Sequence, residues 1–153
     1  MSPAPVTAAE LLDLMPQTQP FRFIDRVLEV DASHIVASYR FREDASYYAG
    51  HFPGSPITPG VIVLEAMAQC GLALHGIYLL ALEAAREEVK AYRTLFTNAQ
   101  IEWCSAVYPG DSIVIRGEVL AWRRRRLRTR VESRNLRGEL VAAGEVAGIG
   151  VRI

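Results

Sequence analysis

The sequence lacks several features that assign proteins to common functional classes. Its 17 basic and 17 acidic residues balance to a formal net charge of zero, so the chain as a whole indicates no polyanionic partner such as nucleic acid. The two cysteines, Cys70 and Cys104, are too few for a disulfide framework and are typical of a reducing cytoplasm. No basic stretch followed by an apolar run opens the chain. We therefore expect no signal peptide and a cytoplasmic protein.

Signals for a bound cofactor or metal ion are also lacking. No glycine-rich fingerprint follows an expected strand, so we expect no nucleotide cofactor. His51 has no second ligand at a recognisable spacing, so we expect no metal site. There is no repeat, low-complexity tract or linker, and 153 residues with 50% hydrophobic content can bury one core. A single domain over residues 1–153 is therefore expected.

The most informative stretch, Gly50–Gln69, joins a proline-rich loop to an apolar helix. Three prolines recur at every third position, which favours an extended, polyproline-like path, and Gly54 permits a turn. Thr58 is the expected N-cap, with Pro59 at the first helical position. The sequence therefore predicts a helix from about Pro59 to Glu83.

Polar groups in this stretch could form a catalytic site. The N–H groups of Gly60 and Val61 open the helix and can hold an oxygen that gains negative charge. Glu65 and Gln69 share one helix face, where burial should raise the pKa of the carboxyl group. With His51, they supply an acid, a base and an anion site. A loop histidine is more often a surface residue, and a buried glutamate more often a structural partner, so the residues alone leave both interpretations open.

The apolar helix is long enough to span a membrane, which needs a separate check. Glu65, Gln69 and His75 interrupt it, and a carboxylate is costly at the centre of a bilayer. We therefore expect a buried core helix and no membrane span, with His75 as a core or interface histidine.

Gly50–Gln69 resembles the signature of the beta-hydroxyacyl-acyl-carrier-protein dehydratases of bacterial fatty-acid synthesis. The family pattern GHFPGxPxxPGVxxxEAMAQ is matched at every fixed position. Two weaker matches flank it in family order: Pro20–Val27 is similar to PFLLVDRV, and Val107–Asp111 is similar to PVxPGD. The chain departs from the family at Met15–Thr18, where Leu-Pro-His-Arg is usual. This departure leaves the shape of the entrance and the partner contacts open.

Strand-type patterns surround the helix. Strands are predicted at Phe23–Val30, His34–Phe41, Arg93–Ala106, Asp111–Trp122, Leu127–Asn135 and Leu140–Val151, and a short opening helix at Thr7–Leu14. One long helix against an antiparallel sheet is an α+β arrangement. The resemblance implies a hotdog fold, in which a curved sheet wraps around a central helix.

The resemblance also implies a reaction. It is the reversible dehydration of 3-hydroxyacyl thioesters on acyl carrier protein to trans-2-enoyl thioesters, with His51 as base and Glu65 as acid. The family builds its sites between subunits, with His from one facing Glu from the other, so a homodimer or higher oligomer is implied. The expected oxyanion and substrate contacts are Gly60, Val61, Phe52 and Gln69, and the acyl channel is expected beside Tyr48 and Phe23.

An arginine-rich segment begins between the predicted strands Asp111–Trp122 and Leu127–Asn135. Eight of the 17 basic residues fall between positions 123 and 137. The cluster begins with Arg123, Arg124, Arg125 and Arg126. After them, odd positions such as Leu127 should face inward and even positions such as Arg128 outward. A solvated hairpin is the first interpretation and docking of the acidic carrier protein the second. Nucleic-acid binding is third because no recognition motif accompanies the cluster.

Other functions remain open at this point. One is a dehydratase that also isomerises trans-2 to cis-3 double bonds, although that branch typically has Asp at the position of Glu65 and Trp at that of Ala68. Another is a non-catalytic carrier-protein-binding subunit of a specialised polyene or polyketide-like pathway. A thioesterase is a third. The sequence does not indicate the acyl chain length.

Overall fold

One antiparallel sheet wraps around a long helix in the computed structural model, which describes residues 5–153. The strands run in the order β1-β2-β4-β5-β6-β3, and every neighbouring pair is antiparallel. They are β1 Arg26–Val30, β2 His34–Arg40, β3 Tyr92–Trp103, β4 Ser112–Arg123, β5 Arg126–Asn135 and β6 Leu140–Arg152. The helices are α1 Ala8–Asp13, α2 Gly60–Ala81 and α3 Arg86–Lys90, with a 3-10 turn at Ser46–Ala49. This arrangement confirms the predicted α+β class.

The central helix α2 supplies most of the core. It is long and apolar enough to cross a membrane by length and composition, but here the sheet covers it, and most of its side chains are buried. Its middle section, Gln69–Leu74, widens into a π-helical turn that contacts β2, β3, β4, β5 and β6. A helix that is apolar on every side needs such a cover, because no face of it is suited to water.

The closest approach of helix to sheet occurs at Gly71. A Cβ atom on Gly71 would lie 2.7 Å from the Val131 side chain, so no larger residue fits without movement of the sheet. Gly117 of β4 faces the same point from the sheet. The hydroxyl of Thr129 donates a hydrogen bond of 2.8 Å to the Gly71 carbonyl within the π-helical turn. Two glycines and one hydroxyl therefore determine how deeply α2 sits.

Most element boundaries agree with the sequence, and the exceptions have local causes. The capping box between Thr7 and Glu10 begins α1 as predicted. β1 begins three residues later than predicted, because the N–H of Phe23 donates to the Gln69 side chain instead of a strand. β3 ends at Trp103 because Cys104 and the next residue both turn their N–H groups to one carbonyl of β6. The prediction that Cys104 lies in a strand was therefore wrong.

The two edge strands of the sheet differ in length and exposure. β1 has five residues and carries an irregularity in its pairing with β2. β3 has twelve residues, and its exposed residues include Leu95, Phe96 and Trp103, which is 47% exposed. A long edge strand with exposed apolar side chains is suited to pairing with another chain.

Candidate active site

His51 is held in a hydrogen-bonded loop before the central helix. Its Nδ1 atom lies 2.9 Å from the carbonyl oxygen of Ile57. A carbonyl only accepts, so Nδ1 carries the proton in this hydrogen bond and Nε2 keeps a free lone pair. The N–H of His51 donates to the Tyr47 carbonyl, and the Phe52 ring stacks on the imidazole with 4.1 Å between centroids. The ring is therefore fixed in place with Nε2 available as a base.

The proline loop after His51 turns back on itself. Phe52 and Ser55 exchange backbone hydrogen bonds of 3.3 and 2.9 Å, and Gly54 has a φ of 73° between them. The predicted extended path was therefore wrong, whereas the predicted turn at Gly54 is present. A left-handed φ explains the glycine, because other residues rarely adopt it.

The helix begins one residue later than predicted. Pro59 has a ψ of 134° and is the N-cap, and Gly60 is the first helical residue. The predicted N-cap, Thr58, instead places its hydroxyl 2.6 Å from the Tyr48 hydroxyl and its N–H on the Val107 carbonyl. The N–H groups of Gly60 and the next residue remain without an acceptor inside the helix. They lie at the positive end of the helix dipole.

Trp103 covers this helix terminus from β3. Its indole N–H donates a hydrogen bond of 3.0 Å to the Gly60 carbonyl. A Cβ atom at Gly60 would come within 3.1 Å of the indole nitrogen, so the missing side chain permits this contact. Sequence analysis did not identify Trp103, because the contact joins residues 43 positions apart.

His51 and Gly60 lie together in an open cleft of about 420 Å³. Phe52 and Trp103 also line it. Glu65 does not, so one chain brings together the expected base and the helix terminus but not the expected acid. The cleft is wide enough to admit a small-molecule substrate.

Glu65 is half-buried on the following turns of the helix. Burial raises the pKa of its carboxyl group, and a hydrogen bond from Gln69 partly opposes that shift. This agrees with the expected direction of the pKa shift and with the shared face of the two side chains. A carboxyl group in this environment holds its proton more firmly than one in water.

Gln69, which was predicted to contact the substrate, is buried inside the chain. It is only 1% exposed, and its amide is fully occupied by internal partners. Its Nε2 donates to Glu65 at 3.2 Å and to the Phe21 carbonyl at 2.9 Å, while its Oε1 accepts from the Phe23 N–H at 2.8 Å. Backbone groups within the Pro20–Val27 motif therefore hold Gln69, and Gln69 in turn orients Glu65. Because backbone groups make these contacts, the side chains of the motif do not reveal them.

Three other predicted residues lie away from the cleft lining. Tyr48 and Phe23, expected beside an acyl channel, are 6% and 4% exposed and pack in the core of this chain. Phe23 packs edge-to-face on Tyr39, with 5.8 Å between ring centroids. The Val61 side chain is exposed to solvent, and only its backbone N–H belongs to the helix terminus.

His75 is a buried core histidine, as expected, and its Nε2 bonds to the Asp31 carbonyl at 2.8 Å.

The arginine cluster divides at the turn between β4 and β5. Arg124 and Arg125 occupy the turn with φ values of 51° and 60°. An outer groove of about 460 Å³ is lined by Arg123, Arg124, Arg126 and Arg128. Arg125 leaves this groove and lies over the Tyr92 ring, with 5.1 Å from its guanidinium carbon to the ring centroid. The inward Leu127 and outward Arg128 follow the predicted alternation.

Comparisons of the sequence with known proteins show its family. The sequence matches the family model of the FabA-like domain over residues 15–145. It is 36% identical over 125 residues to the 3-hydroxyacyl-[acyl-carrier-protein] dehydratase FabZ of Thermus thermophilus, covering 75% of this chain and 77% of that protein. It is 31% identical over 143 residues to the FabZ of Acetivibrio thermocellus, covering 92% of each.

Solved structures of low sequence identity share the fold. The dehydratase heterocomplex ApeI:P of Xenorhabdus doucetiae aligns with a TM-score of 0.71 and 16% identity over 93% of this chain and 91% of that chain. A thioesterase of Haemophilus influenzae aligns with a TM-score of 0.69 and 11% identity over 99% of this chain and 94% of that chain. These matches confirm the predicted hotdog fold, and at these identities they show the fold alone.

Replacement of Glu65 by glutamine is predicted to stabilise the protein increasingly as pH rises. The pKa of Glu65 is raised above its ordinary value of 4.5, so the folded chain binds this proton more tightly than the unfolded chain. Wild-type stability should therefore fall as pH rises through the raised pKa, and Glu65→Gln should escape that loss. Urea unfolding at about pH 4, 6 and 8 measures the difference in free energy of unfolding.

Glu139→Gln is a control of opposite sign. A hydrogen bond from Arg137 lowers the pKa of Glu139, so this carboxylate adds stability above its ordinary pKa and loses it as pH falls. Glu139→Gln should therefore be less stable than wild type at high pH, with the difference vanishing in acid. A pH-independent stability difference for Glu65→Gln would contradict the assigned pKa direction.

Proposed function

The chain belongs to the FabA-like domain family, and from this membership we propose that it is a hydro-lyase acting on 3-hydroxyacyl thioesters of acyl carrier protein. The reaction removes water and leaves a trans-2-enoyl thioester, and it is reversible. Relatives that carry the dehydratase name extend over most of the chain. The observation that carries the proposal is the cleft that His51 and the N-terminus of α2 line together, with Nδ1 of His51 engaged by the Ile57 carbonyl.

His51 acts as the general base in this proposal. Nε2 takes the proton from C2 of the acyl chain, and the electron pair of the C–H bond moves toward the thioester carbonyl. The hydrogen bond from Nδ1 to the Ile57 carbonyl favours this role, since it stabilises the imidazolium that forms. Phe52 limits rotation of the ring by stacking on it.

The N-terminus of α2 stabilises the charge that develops on the thioester oxygen. The Gly60 N–H is unoccupied within the helix and lies at the positive end of the helix dipole. Trp103 restrains Gly60 from its carbonyl side, because the indole N–H donates to the Gly60 carbonyl oxygen. A bulky side chain at position 60 would displace this indole, so the glycine is part of the geometry.

Glu65 acts as the general acid and comes from a second copy of the chain. It delivers its proton to the C3 hydroxyl group, which leaves as water while the C2–C3 double bond forms. The raised pKa keeps this proton available, and Gln69 orients the carboxyl group. A partner's Glu65 is proposed because the His51 cleft of one chain lacks it.

A homodimer is proposed through the edge strand β3. Its twelve residues offer unpaired backbone groups, and its exposed apolar side chains would be buried by a partner. Pairing of two copies by this edge would also cover Trp103, which borders the cleft. Cys70 and Cys104 are both free thiols, in keeping with a cytoplasmic enzyme.

The outer arginine groove is proposed to dock the acidic carrier protein. Within residues 5–153, Arg128 pairs with Glu145, whereas Arg123, Arg124 and Arg126 form no salt bridge. Unpaired guanidinium groups around one groove attract an acidic partner and steer its approach. Arg125, which the sequence predicts in the same docking cluster, faces the Tyr92 ring and does not belong to this surface.

Replacement of either proposed catalytic side chain is expected to abolish most of the dehydration. His51→Ala and Glu65→Gln should each lower kcat by about 10²- to 10⁴-fold, the usual contribution of a general acid or base. The assay follows absorbance of the enoyl thioester, with 3-hydroxyacyl-carrier protein in one direction and crotonyl thioester in the other. His34→Ala is the matched control, because His34 begins β2 beside Asp31 and Glu29, outside the cleft lining.

Three results would contradict parts of this proposal. Full activity in either variant would remove that residue from the mechanism. Release of free thiol in place of an enoyl product would indicate a thioesterase. A folded wild-type protein with no activity at any chain length would favour the non-catalytic carrier-binding subunit.

Charge reversal in the arginine groove should weaken the use of carrier-bound substrate. Arg126→Glu is expected to raise KM for 3-hydroxyacyl-carrier protein about two- to fivefold, as for an exposed charge pair, and to leave the corresponding pantetheine thioester unaffected. Arg126 faces Arg123 across the hairpin, so the reversal removes a repulsive pair and should not disturb folding. Arg26→Glu makes the same charge change on β1, three strands away from Arg126 in the sheet. Equal effects of the two variants would argue against a docking site in the groove.

A further inference from the structure

Two buried hydroxyl groups connect the ends of the loop that carries His51. The hydroxyl oxygens of Tyr48 and Thr58 lie 2.6 Å apart, so one hydroxyl donates a hydrogen bond to the other. Both residues are buried, so water does not compete for this hydrogen bond. Burial also raises the pKa of the Tyr48 phenol, which therefore stays protonated at neutral pH.

Each of the two residues follows a carbonyl group that holds His51. The Tyr47 carbonyl accepts a hydrogen bond of 3.1 Å from the His51 N–H, and the Ile57 carbonyl oxygen lies 2.9 Å from Nδ1 of the ring. Tyr48 is the next residue after the first carbonyl, and Thr58 is the next after the second. The hydrogen bond between the two hydroxyls therefore links the two backbone segments between which His51 is held.

The peptide unit between Ile57 and Thr58 faces His51 directly. Its N–H donates a hydrogen bond of 2.8 Å to the Val107 carbonyl, and its oxygen faces Nδ1 of His51. A peptide unit held by one hydrogen bond on its N–H side is free to tilt about that bond. The bond from the Thr58 side chain to Tyr48 anchors the adjacent Cα and removes this freedom.

The Thr58 hydroxyl makes this contact instead of capping the helix. Thr58 immediately precedes Pro59, the N-cap of α2, and no side chain caps the helix there. A threonine hydroxyl that caps a helix usually stabilises it. The hydroxyl at the start of α2 thus contributes to the geometry of the His51 loop and not to the stability of the helix.

We propose that the hydrogen bond between Tyr48 and Thr58 positions His51 as the base, by holding the Ile57 carbonyl where it keeps the ring proton on Nδ1. This inference rests on the proposed dehydratase function, in which Nε2 needs its lone pair. Without a fixed acceptor at Nδ1 the neutral ring exchanges between its two tautomers, and the form protonated on Nε2 accepts no proton from C2. Tyr48 lies outside the cleft lining and the Thr58 hydroxyl is engaged by Tyr48, so both are positioning residues.

Tyr48→Phe removes one hydroxyl and retains the ring, which packs against Tyr47 with 4.7 Å between centroids. We expect kcat for hydration of crotonyl pantetheine thioester to fall about three- to tenfold, as for the loss of one hydrogen bond. KM should stay near the wild-type value, because Tyr48 does not line the cleft. Thr58→Val should lower kcat to a similar extent, whereas Thr58→Ser retains the hydroxyl and should retain most of kcat.

The double variant Tyr48→Phe/Thr58→Val separates positioning from stability. Each single variant leaves one buried hydroxyl without its partner, which lowers the free energy of unfolding, whereas removal of both hydroxyls leaves no such group. The double variant should therefore recover stability in urea relative to the single variants. Its kcat should nevertheless remain as low as theirs, because the link between the two segments is still missing. Recovery of kcat together with stability would overturn the proposal.

Tyr78→Phe is the matched control for the loss of a tyrosine hydroxyl. Tyr78 is also buried, but it lies on the second half of α2, about 27 Å from Gly60 along the helix at 1.5 Å per residue. Its kcat and its His51 tautomer should equal those of wild type.

Nitrogen NMR of ¹⁵N-histidine-labelled protein reports the tautomer without catalysis. The His51 signals are assigned by their absence in His51→Ala, and spectra are taken at about pH 9, above the ordinary histidine pKa of about 6.5. The wild-type ring should carry its proton on Nδ1, and Tyr48→Phe and Thr58→Val should show an increased fraction protonated on Nε2.

The two readouts distinguish failure of this proposal from failure of the proposed function. Retention of the wild-type tautomer in both single variants would overturn the proposal, whatever their activity. A shifted tautomer with wild-type kcat would support the positioning role and contradict His51 as the base. Inactivity of the wild-type enzyme would contradict the proposed function, and the NMR spectra would still decide whether the two hydroxyls position the ring.

Discussion

The contact between Gly71 and the sheet is the constraint on which the rest of the structure depends. Because Gly71 has no side chain, the middle of α2 approaches Thr129 and Val131 closely, and the Thr129 hydroxyl bonds to the Gly71 carbonyl. This contact fixes the helix along its axis as well as in depth. Gly60, about 16 Å away at the start of the helix, is thereby held beneath Trp103. The proposed anion site thus depends on packing in the middle of the core.

The same burial that stabilises the helix gives Glu65 its chemical properties. A half-buried carboxyl group is costly as an anion, so its pKa is raised and its proton becomes useful to a general acid. Gln69 holds the group in one orientation and is itself held by the backbone of Phe21 and Phe23. Burial of Glu65 therefore lowers the free energy of unfolding at neutral pH, a cost that is common at functional sites.

Local periodicity was enough to predict much of this molecule. The length of α2, the shared face of Glu65 and Gln69 and the alternation after Arg126 all follow from spacing within one element. The features that could not be predicted depend on hydrogen bonds between residues far apart in the chain. The Phe23 N–H reaches a side chain 46 positions away, and the Trp103 indole a carbonyl 43 positions away. Backbone partners of this kind have no side-chain signature, so neither the late start of β1 nor the cover over the helix terminus was predictable.

Mixing two inactive variants tests most directly whether the site is assembled from two copies of the chain. A His51→Ala chain still carries Glu65, and a Glu65→Gln chain still carries His51, so each mixed dimer contains one intact site. Co-refolding equal amounts is predicted to restore about a quarter of wild-type activity, because half of the dimers are mixed and each has one of two sites. An absence of recovery in mixed dimers of verified composition would contradict the account, since both residues would then have to act from the same chain.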